Sequence, residues 1–305
     1  MQFAQIVLLD FADGDLEPED WSSLSALAVE VHRCRSTDPG LHARLSEVDC
    51  LLVQLGVAVT SALLDAAPRL RYVGVFGTSM GRIDVEASRR GIAIRNVPGF
   101  STEAVAELAI GMMLDHLRDL SGARARARRG DLAEPLRLGQ ELRGRRVGIV
   151  GLGAIGRRVA EIARVGFGAD VRYWSRTPRP ETELEYVALD ALLESSDIVS
   201  VHAALAPETR SLLHADRIAR IQRGALLVHL SPPELVDLSA LTARLRAGSL
   251  HFSTDHGDEM DPADLETLRA IDACTLYPPI GYATHEAKTA RRERFLAELA
   301  LFLRA

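Results

Sequence analysis

Residues 145–167 read RRVGIVGLGAIGRRVAEIARVGF, and no other segment of the chain indicates the fold as clearly. The apolar run Val147–Val150 predicts a buried strand, and the residues that follow Gly156 have the spacing of a helix. Between them lies the G-x-G-x-x-G pattern Gly151-Leu152-Gly153-Ala154-Ile155-Gly156. In this context the first glycine allows a tight turn, the second lets a pyrophosphate approach the backbone, and the third permits close packing of helix on strand. The first amide groups of the helix then face phosphate oxygens, so the stretch predicts a dinucleotide site.

Short apolar runs alternate with helical patterns on both sides of this loop, which predicts parallel sheets. The predicted strands are Ile6–Leu9, Val29–His32, Leu51–Gln54, Tyr72–Phe76 and Ile92–Asn96, and then Val147–Val150, Val171–Trp174, Ile198–His202, Ala225–His229, Leu250–Thr254 and Thr275–Tyr277. The second series of six strands fits a doubly wound Rossmann sheet.

Two long helices connect the two series. Helical spacing over Thr102–Leu120 predicts a helix that leads into the second series, and an amphipathic last helix, about Thr284 to Arg304, crosses back to the first. We therefore predict an α/β protein in which a dinucleotide-binding Rossmann domain, residues 100–282, is inserted into a smaller α/β domain formed by residues 1–99 and 283–305.

The composition limits the classes of partner. The chain has 305 residues, a net charge of −6 and 47% hydrophobic residues. The acidic balance disfavours nucleic acid as a partner, and Arg124–Arg129 is interpreted as a solvated helix end or loop rather than a phosphate-binding patch. No apolar run is long enough for a membrane span, and the N-terminus has the pattern of a strand without the basic region of a signal peptide. Cys34, Cys50 and Cys274 have no metal-ligand spacing. We expect a cytoplasmic protein that binds a small molecule and no metal.

The end of the second Rossmann strand bears on the choice of cofactor. NAD-selective sites place Asp or Glu here for the ribose hydroxyls, whereas this chain has Ser175, followed by Arg176, Thr177 and Arg179. Guanidinium groups can clamp a 2′-phosphate. NADP(H) is the preferred cofactor on this argument, and NAD(H) stays open because both arginines could simply be exposed on a loop.

Motifs along nearly the whole chain resemble the D-isomer-specific 2-hydroxyacid dehydrogenases, the family of phosphoglycerate, glyoxylate and hydroxypyruvate reductases. These motifs lie at residues 96–102 with 105–107, 139–144, 197–202, 207–210, 224–228, 235–237, 240–241 and 280–284. The resemblance implies a cofactor domain inserted into a flavodoxin-like domain, an active site between the two, and a homodimer built through the long helix. Its expected cofactor contacts beyond the two segments above are His202, Ala203, Thr209, Leu230, Ser231 and Asp255. Asp255 occupies the position at which the family contacts the nicotinamide carboxamide.

The family reduces 2-keto acids with an Arg that holds the carboxylate, a His that protonates the carbonyl oxygen and a Glu that orients the His. Here Pro232 stands at the Arg position and Pro279 at the His position. The Glu position falls on Met260, or on Asp261 if one residue is inserted, and only Asp261 could imitate it. Proline has no ionisable group and no backbone N–H, so neither proline can take the role of the residue that it replaces.

A fourth site, the loop that binds the substrate carboxylate, departs as well. The family's G-x-G-x-D pattern has become Gly77-Thr78-Ser79-Met80-Gly81, before Arg82 and Asp84. The fold and the cofactor prediction survive these changes, but the usual reaction does not follow from them.

Two classes of function stay open. The first is an oxidoreductase that keeps hydride transfer but acts on a carbonyl, imine or activated alkene without a free 2-keto carboxylate, or that uses bound nicotinamide in a net non-redox reaction. Its candidate catalytic residues are His256, Tyr277 and Tyr282, with His229 and His285 weaker. The second is a catalytically silent NADP(H)-binding sensor or partner subunit, which the loss of the expected chemistry supports.

Overall fold

A computed structural model describes residues 2–80, 82–135 and 138–304 of the chain. It divides into two compact units. The first unit comprises the residues up to Ser101 and those from His285 onward, and the second unit is Thr102–Thr284. The last helix therefore belongs to the same unit as the N-terminal strands.

The first unit is built on a parallel sheet of five strands, in the order β2-β1-β3-β5-β7. These strands are β1 (Phe3–Leu9), β2 (Ala28–Cys34), β3 (Cys50–Gln54), β5 (Tyr72–Phe76) and β7 (Ala93–Arg95). A separate two-stranded sheet joins β4 (Ala58–Val59) and β6 (Arg82–Ile83). The helices are α1 (Pro18–Leu27), α2 (Leu41–Arg44), α3 (Ser61–Ala66), α4 (Glu86–Arg89) and the last helix of the chain, α12 (His285–Arg304).

Side chains alternate across this sheet, so each face has its own core. Val7 and Leu9 of β1 pack in the cluster on one face, while Ile6 and Leu8 pack on the other. Phe295 of α12 belongs to the second cluster. Covering both faces explains why the central strands β1, β3 and β5 are mostly apolar runs, whereas the edge strand β2 is largely exposed.

The second unit is built on a parallel sheet of seven strands, in the order β10-β9-β8-β11-β12-β13-β14. These strands are β8 (Arg146–Val150), β9 (Asp170–Trp174), β10 (Glu185–Tyr186), β11 (Ile198–Val201), β12 (Leu226–His229), β13 (His251–Thr254) and β14 (Cys274–Leu276). The α-helices are α5 (Thr102–Arg118), α6 (Leu120–Arg128), α7 (Ala154–Glu161), α8 (Leu189–Ser195), α9 (Ala215–Arg220), α10 (Leu238–Arg246) and α11 (Pro262–Arg269). A π-helical turn, Ile162–Gly166, extends α7, and 3-10 turns occupy Pro233–Leu235 and Gly257–Glu259.

The strand order reverses at β8, from which the chain proceeds outward in both directions. In register, the last residue of each strand pairs with the last residue of its neighbour: Val150 with Trp174 and Val201, and His229 with Val201 and Thr254. The residues that follow these strands consequently share one side of the sheet, here called the carboxyl edge. Ligands of doubly wound sheets bind at this edge, where the strand order reverses.

The α/β class predicted from the sequence is confirmed, and the structure adds detail that the sequence patterns did not show. β10 has only two residues and was not predicted. The Arg-rich segment is helical, since it occupies α6, and α6 buries none of its side chains. Among the described residues, no helix combines the length and apolarity needed to cross a membrane.

Candidate functional site

The glycine loop at the end of β8 has the geometry that its three glycines predict. Gly151 has a φ of 97°, and its N–H donates to the carbonyl oxygen of Trp174 at 2.8 Å. A Cβ on Gly151 would lie 2.8 Å from the amide nitrogen of Ala203, and a Cβ on Gly156 would collide with the carbonyl oxygen of Gly151. Both positions therefore require glycine for backbone reasons.

Gly153 has no such steric constraint. It is exposed and caps α7, and no atom lies within 4 Å of the position that a Cβ would occupy. The helical hydrogen bonds begin with Arg157 N–H donating to Gly153 O at 3.0 Å, so the amides of Ala154 and Ile155 precede them. Open space above a row of helix N-terminal amides fits a pyrophosphate, and the residues present thus fit a dinucleotide.

The segment after β9 is held in place by its own hydrogen bonds. Ser175 is buried, and its Oγ donates to the carbonyl oxygen of Thr177 at 2.6 Å. Tyr173 Oη accepts from the backbone N–H of Arg179 at 2.8 Å. Arg176 is exposed and contacts Glu208 across the glycine loop, Nη1 to Oε2 at 3.0 Å. The predicted ribose-binding segment is thus an anchored turn that presents two guanidinium groups to solvent.

The loop after β11 carries three of the predicted contacts. His202 N–H donates to Val150 O at 2.8 Å, which ties the loop to β8, and Ala203 lies against the glycine loop. Burial holds the pKa of His202 well below its ordinary value, and its Nε2 lies 2.8 Å from Ser200 Oγ. Thr209 is buried, where its Oγ1 donates to Ala204 O at 2.7 Å. Thr209 therefore stabilises the conformation of this loop through its side-chain hydrogen bond.

The turn after β12 places Pro232, which the resemblance predicts at the family's Arg position, at the carboxyl edge. Leu230 and Ser231 are buried, and Ser231 Oγ donates to Val201 O at 3.1 Å. Pro232 follows directly and caps the 3-10 turn Pro233–Leu235. Pro232 has no charged group and therefore cannot form an ion pair with a substrate carboxylate.

Asp255 and His256 follow β13 and form the most strongly polar part of the edge. Asp255 is buried, and its Oδ2 accepts from Gly281 N–H at 2.8 Å. Its Oδ1 is buried and has no hydrogen-bond partner within the described part of the chain. An oxygen that forms no hydrogen bond of its own fits the role of accepting one from a bound group such as a carboxamide.

His256 lies between two carboxylates. Its Nδ1 is 3.1 Å from Glu259 Oε1, and its Nε2 is 3.7 Å from Asp255 Oδ1. Burial alone would lower the pKa of His256, but the hydrogen bond to Glu259 and the charges of Glu259, Asp255 and Asp258 outweigh it, so the pKa is raised. The pattern Asp255-His256-Gly257-Asp258-Glu259 thus supplies a histidine–carboxylate pair within one turn.

Glu259 was missed in the sequence analysis, although its spacing held a signal. Residues three apart face each other in a 3-10 turn, and the turn Gly257–Glu259 brings Glu259 under His256. The two expected Glu positions serve other purposes. Met260 is buried in an apolar cluster, and Asp261 caps α11, with its Oδ1 accepting from Ala263 N–H at 2.9 Å.

The segment after β14 directs its two tyrosines differently. Tyr277 is half-buried, and its hydroxyl donates to Asp115 Oδ2 at 2.5 Å. Burial and this contact raise the pKa of Tyr277, which makes it a weaker proton donor than His256. Tyr282 is exposed, as is Pro279.

The position of Asp115 along α5 shows how far the Tyr277 hydroxyl lies from the carboxyl edge. Val105 of α5 is near Gly281 at that edge, and Asp115 is ten residues further along, a span of about 15 Å in a helix. The structure therefore does not bring the Tyr277 hydroxyl to the polar cluster.

His229 ends β12 and is 1% exposed. Neither of its ring nitrogens has a hydrogen-bond partner within the described residues. Burial, with smaller contributions from His256 and His202, lowers its pKa to about 3. His229 is therefore neutral at any physiological pH, and its ring lies 6.1 Å from the ring of Phe252, centroid to centroid.

In the first unit, the predicted counterpart of the family's carboxylate-binding loop, residues 77–81, is described only in part, because Gly81 lies outside the described residues. Asp84, which follows it, accepts from Ser61 Oγ at 2.5 Å and from Glu86 N–H at 2.9 Å. Asp84 thus stabilises the start of α4. Among the described residues, no group of three or more His, Cys, Asp or Glu side chains is arranged to hold a metal ion.

Comparison with known proteins gives one family. Residues 110–281 match the family described as "D-isomer specific 2-hydroxyacid dehydrogenase, NAD binding domain". A glyoxylate reductase of Thermococcus litoralis is 34% identical over 271 residues, which cover 85% of this chain and 82% of that protein. A hydroxypyruvate reductase of Thermotoga maritima is 32% identical, with 80% of this chain and 81% of the relative covered.

A solved structure, a 2-hydroxyacid dehydrogenase of Ketogulonicigenium vulgare, superposes with a TM-score of 0.88 at 26% identity and covers 99% of this chain and 96% of its own. The family match spans the glycine loop, the segment after β9 and the carboxyl edge, so the bound cofactor is a nicotinamide dinucleotide. The chain belongs to the D-isomer-specific 2-hydroxyacid dehydrogenases, a family of oxidoreductases.

Proposed function

We propose that this protein is a nicotinamide-dependent oxidoreductase that acts on a carbonyl, imine or activated alkene lacking a free 2-keto carboxylate, with NADP(H) preferred over NAD(H). One observation carries the proposal. The carboxyl edge carries a polar Asp255–His256–Glu259 cluster in which Asp255 is buried, His256 is partly buried and Glu259 is exposed, although the resemblance places Pro232 and Pro279 at the family's Arg and His positions.

The choice of substrate class follows from Pro232. A 2-keto carboxylate that leaves water needs a charged donor, and a guanidinium pairs with it through two parallel hydrogen bonds. Pro232 offers neither a charge nor an N–H. A neutral carbonyl compound, or a substrate whose carboxylate is absent or masked, does not incur that desolvation cost.

His256 is the best-placed proton donor of the edge. When bound, the nicotinamide cofactor supplies the hydride. Glu259 holds Nδ1 of His256, so Nε2 is left to carry the proton that a developing alkoxide or amide anion takes up. Its raised pKa keeps a larger fraction of His256 protonated near neutrality than an isolated histidine would have.

The cofactor preference rests on charge. Ser175 places no carboxylate at the end of β9, where NAD-selective sites have one, and the anchored turn that it begins carries exposed Arg176 and Arg179.

A second candidate function is a sensor or partner subunit that binds NADP(H) without turnover. The observation in its favour is that all three family catalytic positions are non-ionisable if Met260 is taken at the Glu position. The homodimer and the cytoplasmic location that the sequence suggested stay predictions.

One set of measurements separates these functions. Binding of NADPH and NADH is measured by fluorescence titration, and NADPH oxidation is followed by absorbance with two panels of substrates. The first panel holds glyoxylate, hydroxypyruvate and phenylpyruvate, and the second holds aldehydes, ketones and cyclic imines without a carboxylate.

Turnover in the second panel alone supports the proposal. Efficient turnover of the 2-keto acids would contradict the argument from Pro232. Tight binding of NADPH with no turnover in either panel would favour the sensor.

A further inference from the structure

An ion pair crosses the cofactor crevice, defined here as the space at the glycine loop between the loops that follow β9 and β11. Arg176 lies two residues after β9 and Glu208 lies in the loop after β11, and Arg176 Nη1 is 3.0 Å from Glu208 Oε2. The strand between them is β8, since the sheet runs β9-β8-β11. The pair therefore bridges the two loops on either side of the glycine loop.

This region is where the adenosine half of a dinucleotide lies, between the first strand of a Rossmann sheet and its neighbours at the reversal of strand order. Gly151 is wedged between the same two loops, with its N–H on Trp174 O and its Cα facing Ala203. The ion pair and the phosphate-binding backbone are thus parts of one crevice.

Both ends of the ion pair are fixed by their loops. On one side, the hydrogen bond from Ser175 to Thr177 O holds the turn that carries Arg176. On the other, Thr209 Oγ1 accepts from Ala206 N–H at 2.8 Å and donates to Ala204 O, so the residue next to Glu208 is anchored in its loop. Both loops are therefore held in positions that bring Arg176 and Glu208 into contact.

We propose that Glu208 competes with the 2′-phosphate of NADP(H) for Arg176 and so limits the preference of this protein for NADP(H) over NAD(H). The inference rests on the proposed cofactor preference and names a residue that regulates it. A 2′-phosphate that reaches Arg176 must displace or share its guanidinium with Glu208, and the two anions repel each other. A 2′-hydroxyl causes no such repulsion, so NAD(H) is insensitive to Glu208.

The magnitude is set by the exposure of the pair. Arg176 is 57% and Glu208 is 66% exposed, so solvent screens their attraction. Removing the charge of Glu208 is therefore expected to tighten NADPH binding by about 3- to 10-fold.

The test compares Glu208→Gln, Arg176→Gln and the wild type by fluorescence titration with NADPH and NADH, and by calorimetry with 2′,5′-ADP and 5′-AMP. Glu194→Gln is the matched control, because Glu194 pairs with Arg220 at similar exposure, 50% and 49%, through α8 and α9. We expect Glu208→Gln to bind NADPH and 2′,5′-ADP more tightly than the wild type and to bind NADH and 5′-AMP with unchanged affinity. The gain in affinity should become smaller as salt is added. Arg176→Gln should weaken NADPH and 2′,5′-ADP.

Two outcomes overturn the inference while the cofactor preference stands. Weaker NADPH binding by Glu208→Gln would show that Glu208 orients Arg176 for the phosphate, and an unchanged affinity would place the pair outside the phosphate site. If the wild type binds NADH as tightly as NADPH and Arg176→Gln changes neither, the proposed preference itself fails.

Discussion

The two ends of the carboxyl edge differ in how closely their residues follow the family pattern. At the end near β8 and β9, the glycine loop has the shape that a pyrophosphate requires, with Gly151 at a φ of 97° and open space above Gly153. At the end near β12, β13 and β14, the resemblance predicts that Pro232 and Pro279 stand where the family has ionisable groups. The first is here called the phosphate end and the second the chemical end.

The difference shows which functions depend on backbone and which on side chains. Phosphate binding uses amide groups that any sequence supplies once the turn is formed, so it depends on the absence of Cβ atoms at a few positions. Proton transfer and carboxylate binding need specific side chains, and a single substitution removes them. A fold can therefore keep its cofactor while its substrate chemistry changes.

The largest effect is expected at the chemical end, from His256→Gln. If His256 gives up the proton, this variant should lose about 10²- to 10⁴-fold in kcat on any substrate that the wild type turns over, with NADPH affinity unchanged. Glu259→Gln should lower the pKa of His256, because the charge of Glu259 helps to raise it. The falling limb of the kcat profile for reduction should then move to lower pH, and NMR titration of His256 should show the same shift.

The folded-state pKa of His256 also affects stability. Because that pKa is raised, the stabilisation from its pairing is complete below the unfolded value, about 6.5, and disappears as the pH rises through the folded value. Glu259→Gln should thus be less stable than the wild type at acidic pH, and the difference should shrink on the alkaline side. An unchanged kcat and pH profile in both variants would remove the pair from the chemistry and leave it a structural contact.

The next effect concerns the phosphate end, through Gly153→Asp. Gly153 is the N-cap of α7 with no atom near its Cβ position, so an aspartate fits there, caps the helix and places a carboxylate where the pyrophosphate belongs. We expect affinity for both NADPH and NADH to fall about 100-fold, roughly 2.7 kcal/mol, while the melting temperature stays equal or rises.

Gly111→Ala is the control, because Gly111 is an exposed helical glycine of α5 with equally open space around it. That variant should gain about 0.5–1 kcal/mol in stability and bind cofactor normally. Normal cofactor binding by Gly153→Asp would break the assignment of the phosphate site.

Sequence patterns predicted the central strands and the phosphate end because both are local. A run such as Val147–Val150 and the glycine spacing that follows it determine their own conformation. Two-residue β10 carries too few residues for any period to show. The pairing of Arg176 with Glu208 depends on the strand order, which brings together residues 32 apart in sequence.

Side-chain direction after a strand was the other limit. Tyr277 follows β14 and was a catalytic candidate by position, but its side chain turns toward Asp115 on α5. Neither periodicity nor spacing specifies that direction once the strand has ended, because the pleat no longer fixes the alternation. The contact between His256 and Glu259 was not predicted for a similar reason, because it depends on the 3-10 turn that brings the two side chains together.

A smaller effect tests the buried histidine of the chemical end. Because the pKa of His229 is lowered to about 3, the unfolded chain binds a proton below pH 6.5 that the folded chain does not. The wild type should therefore lose about 2 kcal/mol on this account between pH 8 and pH 5, and His229→Leu should not.

Denaturant unfolding at both pH values measures the difference, with His42→Leu, a change at an exposed position of α2, as the control. If His229→Leu and the wild type lose stability in parallel, the buried ring has a partner that holds its proton. Cofactor titration of the same variant separately tests whether the His229 ring contributes to binding of the dinucleotide.

The smallest effect is expected from Tyr277→Phe, and it separates the structural interpretation from the catalytic one. The hydroxyl lies 2.5 Å from Asp115 Oδ2, which also accepts from Ser121 Oγ at 3.0 Å, so the carboxylate keeps a partner when the hydroxyl is removed. We expect a loss of about 1 kcal/mol in the free energy of unfolding, with NADPH affinity and kcat unchanged. A kcat reduced more than 10-fold at normal stability would instead return Tyr277 to the chemistry, and would mean that the chemical end extends further down α5 than the polar cluster at Asp255 and His256.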